Sequence, residues 1–339
     1  MGLFNSKFKP GDLVQVRSRD EILATLDDQG AIGGLPFMPE MLEFCGQTLR
    51  VFKRADKTCD TIEQTGGRRM MGAVHLEDIR CSGAAHGGCQ AGCLIFWKES
   101  WLKRVTVEAP VTTTRSITAP TDLLERCTLQ PDSAHDEAEP RYRCQVTELR
   151  RATTALPWWD VRQYARDVLT GNVSFRRLLR GLVVVGFRTL LETGVAYRMW
   201  VRLYDRARRY TGWPALPWRN GSGKSGPISK LDLAPGEWVK VKSHDEILAT
   251  LDSNNKNRGL SFDPEMIRYC GGKYQVQNRV TQIIEEKTGR MLKIKNPCII
   301  LSGVYCQGDM SKYRLFCPRA IYSYWRESWL ERVEPPKRI

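Results

Sequence analysis

The sequence predicts an α+β multi-domain protein in which two duplicated, β-rich modules of the small, partly open SH3-like barrel type flank a basic α-helical segment. Three observations point to this fold class. Residues 10–83 recur at 235–308 without a gap, with about a third of the aligned pairs identical. Each repeat reads as a strand, short helical pieces, then a meander of strands. The positive charge is concentrated between the repeats, where fourteen arginines and one lysine from Arg150 to Lys224 face four acids, a net +11 in a chain of +14.

The repeats share more than composition. Pro10-Gly11 returns as Pro235-Gly236, Asp20 to Asp27 as Asp245 to Asp252, and Pro39-Glu40-Met41 as Pro264-Glu265-Met266. After a three-residue length difference, Trp97-x-Glu99-Ser100-Trp101-Leu102 matches Trp325-x-Glu327-Ser328-Trp329-Leu330. Each module opens on an alternating strand, Leu13–Val16 or Trp238–Val241. Asp20 or Asp245 is the expected cap of a short helix whose apolar face is Ile22, Leu23 and Leu26 in the first copy. A second short helix is expected from Pro39 or Pro264 to Cys45-Gly46 or Cys270-Gly271, with proline in its first turn and glycine past its end. In the second copy, strands at 274–280 and 291–304 meet at the turn Lys287-Thr288-Gly289. The repeated acids Glu21/Glu246, Asp27/Asp252 and Glu40/Glu265 are expected to bind backbone amides, and the repeated tryptophans to fill the cores.

Module one thus spans 1–105 and module two 235–333. Residues 106–157 read as a proline-rich, acidic linker that carries Cys127 and Cys144. The basic helical segment covers 158–213, with helices expected near 160–169, 175–193 and 195–210; Asp160 and Ser174 are expected caps, and Gly171 and Gly194 expected stops. A flexible tether occupies 214–234.

Eleven cysteines without an export signal favour reduced thiols or metal ligands over a disulfide framework. Cys45, Cys81 and Cys89 recur as Cys270, Cys306 and Cys317, and only the first copy adds Cys93. Cys45, Cys81, Cys89 and Cys93, with His86 as a further donor, form the expected metal site. Its Cys81–Cys93 loop is rich in glycine, which permits the tight turns of a thiolate knuckle. Zinc is the expected ion and an iron–sulfur cluster the alternative. Cys127 and Cys144 could instead complete or exchange ligands, and three equivalent cysteines can also be plain core residues.

In the last expected helix Arg198, Arg202, Arg206 and Arg209 form one stripe, suited to phosphates of nucleic acid or lipid, or to an acidic partner protein. No apolar run approaches the roughly 20 residues of a membrane-spanning helix. A cytoplasmic protein, with peripheral membrane association as a variant, is therefore expected. Met1-Gly2-Leu3-Phe4-Asn5-Ser6 fits a myristoylation pattern, meaningful only in a eukaryotic host or a host-targeted effector. Protease, kinase, hydrolase and phosphate-loop patterns are missing from the sequence. A non-catalytic binding or accessory protein is the first expectation. The alternatives are a metal- or cluster-dependent enzyme built on the Cys81–Cys93 loop and a peripheral membrane protein.

Overall fold

The computed structural model describes residues 7–63, 65–105, 122–130, 140–192, 203–204, 206–207, 210, 221, 226 and 230–335. The myristoylation pattern, residues 106–121 and 131–139 of the expected linker, most of the expected tether, and Arg198, Arg202 and Arg209 lie outside the described residues. The protein is mixed α/β, with several antiparallel sheets and few helices. Two compact units divide it: Met1–Leu178 with Gln282–Lys293 and Ser311–Ile321, and Leu179–Thr281 with Ile294–Met310 and Tyr322–Ile339.

In the first unit, β1 (Leu13–Val16), β4 (Thr48–Arg54), β7 (Ala73–Leu76), β8 (Trp97–Lys98) and β9 (Leu102–Arg104) form a sheet in the order β8-β7-β4-β1-β9. Between β1 and β4 run α1 (Arg19–Leu23), the two-residue strands β2 (Ala31–Ile32) and β3 (Leu35–Pro36), and a 3-10 turn at Pro39–Phe44. Val14, Val16, Val51, Val74 and Leu76 alternate inward and meet Ile22, Met41, Trp97 and Trp101. The edges of both indoles meet Phe37, with ring centroids 6.2 and 5.2 Å away. Each fully buried large side chain of this core contributes about 1.5–3 kcal/mol by leaving water.

The cap of α1 is Ser18 and not Asp20. The Ser18 backbone is extended, its hydroxyl accepts from the Glu21 amide, and the Glu21 carboxylate accepts from the Ser18 amide at 2.9 Å. This reciprocal box satisfies two otherwise orphaned donors and leaves Asp20 in the first turn, where its charge suits the helix dipole. The same correction applies to α6 (His244–Leu248), capped by Ser243 rather than Asp245. The expected second helix is a 3-10 turn in each repeat, Pro39–Phe44 and Pro264–Tyr269, and the chain leaves through Gly46 and Gly271 at positive φ.

The first unit also contains β5 (Lys57–Cys59) and β6 (Gly67–Arg69), which pair with β10 (Thr154–Leu156) in the order β10-β6-β5. Residues 140–156 therefore contribute to the unit's interior. The Gln145 amide bridges the backbone of Phe96, donating to its carbonyl at 2.8 Å and accepting from its N–H at 2.8 Å. After α2 (Asp122–Arg126) and α3 (Leu149–Ala152), α4 (Arg162–Leu169) starts and stops close to expectation, although its cap is Val161 without a side-chain bond and not Asp160. Helix α5 (Phe175–Glu192) starts where expected; its expected stop, Gly194, lies outside the described residues. Ser174 accepts from the Arg177 amide near the start of α5, and Gly171 follows the end of α4.

In the second unit the sheet order is β16-β15-β14-β11-β17, built from β11 (Trp238–Val241), β14 (Lys273–Ile284), β15 (Met291–Tyr305), β16 (Tyr322–Trp325) and β17 (Leu330–Arg332). A small hairpin of β12 (Lys256–Asn257) and β13 (Leu260–Ser261) stands between β11 and β14. The β14–β15 turn falls where the sequence predicts it, with Gly289 at φ 72°. Its distal residues 282–293 belong to the first unit. Among the described residues, no helix is long and apolar enough to cross a membrane.

Candidate metal centre

The Cys81–Cys93 loop leaves and re-enters the first unit through a short antiparallel bridge. Arg80 pairs with Leu94, and the Cys81 amide donates to the Cys93 carbonyl at 2.8 Å. Inside the loop the His86 and Gly88 amides both donate to the Gly83 carbonyl. Gly83 sits at φ 73°, and a Cβ there would lie 2.0 Å from the Cys89 carbonyl oxygen. Only glycine permits that approach, so the loop's composition is a backbone requirement.

The folded loop presents His86 and Cys81 to Glu40, which stands in the Pro39–Phe44 turn. One ligand atom from each of Glu40, Cys81 and His86 lies within 4.8 Å of the others, and this group could hold a metal ion. It is well shielded from solvent, with Glu40 8% and His86 1% exposed. Glu40 Oε1 accepts from the Ala85 amide at 3.1 Å, meets His86 Nδ1 at 2.7 Å and lies 3.9 Å from Cys81 Sγ. Glu40 Oε2 is buried and has no hydrogen-bond partner among the described residues. An unpaired buried carboxylate oxygen is costly, typically about 1–3 kcal/mol or more. A cation would satisfy it.

His86 is held at both ring nitrogens. Nε2 lies 3.1 Å from the Arg143 carbonyl, which can only accept, so Nε2 carries a hydrogen. Nδ1 stands 2.7 Å from Glu40 Oε1, where it donates to the carboxylate if it carries a hydrogen and offers its lone pair to a cation if it does not. An imidazole whose distal N–H is anchored to a backbone carbonyl is the usual outer support of a metal-ligating histidine. Burial alone would raise the Glu40 carboxyl; the hydrogen bond and charge of His86 and the Ala85 amide outweigh it and hold it below its ordinary value. Burial, then the Glu40 charge and the neighbouring Cys93 and Cys144 thiols, push the Cys81 thiol far up. Burial also pushes Cys93 up to about 12 and Cys144 up to about 11. Without a cation these thiols remain protonated.

The expected site residues divide as follows. Cys81 and His86 join Glu40. Cys93 faces Cys81 across the loop's base, and Cys89 Sγ accepts from the Ile284 amide at 3.3 Å. Cys45 ends the Pro39–Phe44 turn and packs against the core; burial pushes its thiol up to about 11, opposed by the charge of Arg19. Cys45 is thus outside the group that the fold brings together. Cys270 holds the matching place after Pro264–Tyr269, and burial pushes it up to about 12. Cys306 belongs to the second unit, whereas Cys317 belongs to the first and accepts from the Cys59 amide at 3.2 Å. His75 is a core residue: burial lowers it to about 3, and its Nδ1 is satisfied by the Ile95 carbonyl. Of the arginine stripe only Arg206 is described, and it is exposed.

Sequence reasoning missed Glu40 as a member of this neighbourhood, and Cys144 entered it only as a linker cysteine able to complete or exchange ligands. Glu40 carried a signal, because it repeats as Glu265, but helix capping explained that repetition equally well. No family model, curated protein or solved structure matches the chain.

Proposed function

We propose that this protein is a non-catalytic binding or accessory protein whose first module is stapled by a cysteine-ligated zinc ion. Its arginine-rich middle segment would meet an anionic partner. The observation that carries the metal reading is the buried group Glu40, Cys81 and His86, with Glu40 Oε2 left unsatisfied. The mixed oxygen, nitrogen and sulfur donors suit zinc, whereas iron–sulfur clusters are held chiefly by thiolates. Burial of Glu40 and His86, with Cys81 only partly exposed, favours a structural ion over one that meets substrate. The fourth ligand is drawn from Cys93 and Cys144, whose thiols are near enough to raise Cys81 electrostatically.

The two five-stranded sheets are read as copies of one SH3-like module. Their strand orders correspond, their serine-capped helices correspond, and the pairs Arg54–Glu99 and Arg279–Glu327 both close at 2.6 Å. In the second copy the Met310 amide donates to Glu265 Oε1, just as Ala85 does to Glu40. Ser311 stands where the first copy has His86. Zinc is accordingly assigned to the first copy alone.

Metal analysis of the purified full-length chain tests this reading. One zinc per colourless chain is expected, lost in Cys81→Ser and His86→Ala and retained in Cys270→Ser. Metal-free protein, or iron with a visible absorption band, would overturn it.

A further inference from the structure

The second unit contains a half-open cavity of about 420 Å³, well away in sequence from the thiol loop. Among the described residues, five cations line it, Lys230, Arg258, Arg279, Lys295 and Arg326, against the acids Asp232 and Glu327. The Glu327 carboxylate is already engaged by the amides of Leu231 (2.9 Å) and Leu233 (3.1 Å) and by Arg279 (2.6 Å). Arg326 is buried, and its guanidinium donates to the carbonyls of Asn257, Arg258 and Asn296. Among the described residues no carboxylate pairs with Arg326, Lys230 or Lys295. The cavity therefore has an uncompensated positive charge, part of it on a buried guanidinium.

The first repeat provides an internal comparison. Arg54 corresponds to Arg279 and Glu99 to Glu327, yet the Arg54 side chain is 1% exposed and that of Arg279 is 30% exposed. Arg54 is closed off by Asp56, the Phe8 carbonyl and Asn172, whose side chain brackets the Arg54 backbone. In the second repeat threonine, Thr281, replaces Asp56, while Arg258, Lys295 and Arg326 replace Gly33, Met70 and Lys98. At these aligned positions the module has lost an acid and gained two cations, the exposed Asp232 standing 3.6 Å from Arg279, and the face has opened.

We propose that this cavity binds a small phosphate-bearing molecule. Its volume falls within the range of roughly 300–1,000 Å³ typical of small-ligand pockets. Lysine and arginine side chains are the common protein partners of phosphate, and Ser328 adds a hydroxyl to the lining. A bound phosphate would compensate the buried Arg326 charge without displacing the Arg279–Glu327 pair. This site is independent of the zinc reading, because none of its residues belongs to the metal group.

Calorimetric titration of the full-length protein with inorganic pyrophosphate tests the proposal. Lys230→Glu/Lys295→Glu changes two exposed side chains and should weaken binding at least tenfold. Lys240→Glu/Lys273→Glu makes the same charge change on exposed strand positions of the same unit, outside the cavity, and should leave affinity within twofold. Circular dichroism should report both variants folded. Absence of pyrophosphate binding at millimolar concentration, or equal weakening by both double variants, would overturn the site.

Discussion

His86 distinguishes the two repeats at the level of single residues. Both copies bury a glutamate after the repeated proline, and both satisfy one of its oxygens with a loop amide. Only the first adds an imidazole, held from behind by the Arg143 carbonyl. His86→Ala should abolish metal retention and destabilise the first unit by about 1–3 kcal/mol or more, the usual cost of leaving a buried polar group without its partner; metal content and denaturant unfolding measure the two effects. Cys45→Ser should keep its zinc, while Cys93→Ser and Cys144→Ser should weaken it. The opposite pattern would assign the fourth ligand to Cys45. Cys81 and His86 were legible in the sequence because they share one glycine-rich loop, whereas Cys89 and Cys93, read from the same loop, are not in the group of Glu40, Cys81 and His86. Glu40 and Cys144 come from separate segments, and spacing within a loop carries no information about what packs onto it from elsewhere.

The elements show how far local chemistry reaches. Proline–glycine openings, the Lys287-Thr288-Gly289 turn and the helix starts near Asp160 and Ser174 were all readable, because turns and caps depend on a few adjacent residues. The caps of α1 and α6 were misplaced by two residues, since Ser18-x-x-Glu21 and Ser243-x-x-Glu246 are the boxes that close. Ser18→Ala and Ser243→Ala should each cost about 1 kcal/mol in chemical denaturation. Glu327 ties the segment before β11 to the 3-10 turn that follows β16. Burial acts to raise it, but the amides of Leu233 and Leu231 and the charge of Arg279 hold it below its ordinary 4.5. Its contribution is therefore fully present above that ordinary value and is lost as pH falls through the lowered folded value. Glu327→Gln should reduce stability at neutral pH and flatten its decline in acid, as followed by denaturant titration from pH 7 downwards.

At the scale of the whole molecule, one unit contains the metal group and the other the cationic cavity. A strong chelator should lower the melting transition of the first unit and leave that of the second in place, which calorimetry of wild type beside Cys81→Ser can resolve. The middle segment adds a separate electrostatic property. If Arg198, Arg202, Arg206 and Arg209 meet a polyanion, changing all four to glutamine should reduce the salt dependence of binding, since each duplex phosphate contact releases about 0.9 of a cation. Unchanged salt dependence on both DNA and acidic lipid vesicles would leave an acidic protein as the partner to test.

The sequence by itself determined the recurrence of residues 10–83 at 235–308, the opening strands and the β14–β15 turn, the positive charge of the middle segment and the loop that presents Cys81 and His86. These are properties of neighbouring residues or of direct self-comparison. Only the tertiary structure decided that Glu40, not Cys45, faces that loop, and that Cys144 lies beside it. It also decided that one Arg–Glu pair is closed off by Phe8, Asp56 and Asn172 while its counterpart lines an open cavity. The reason is common to both: burial and charge compensation depend on which distant segments pack onto a residue, and two nearly identical local sequences can receive different neighbours.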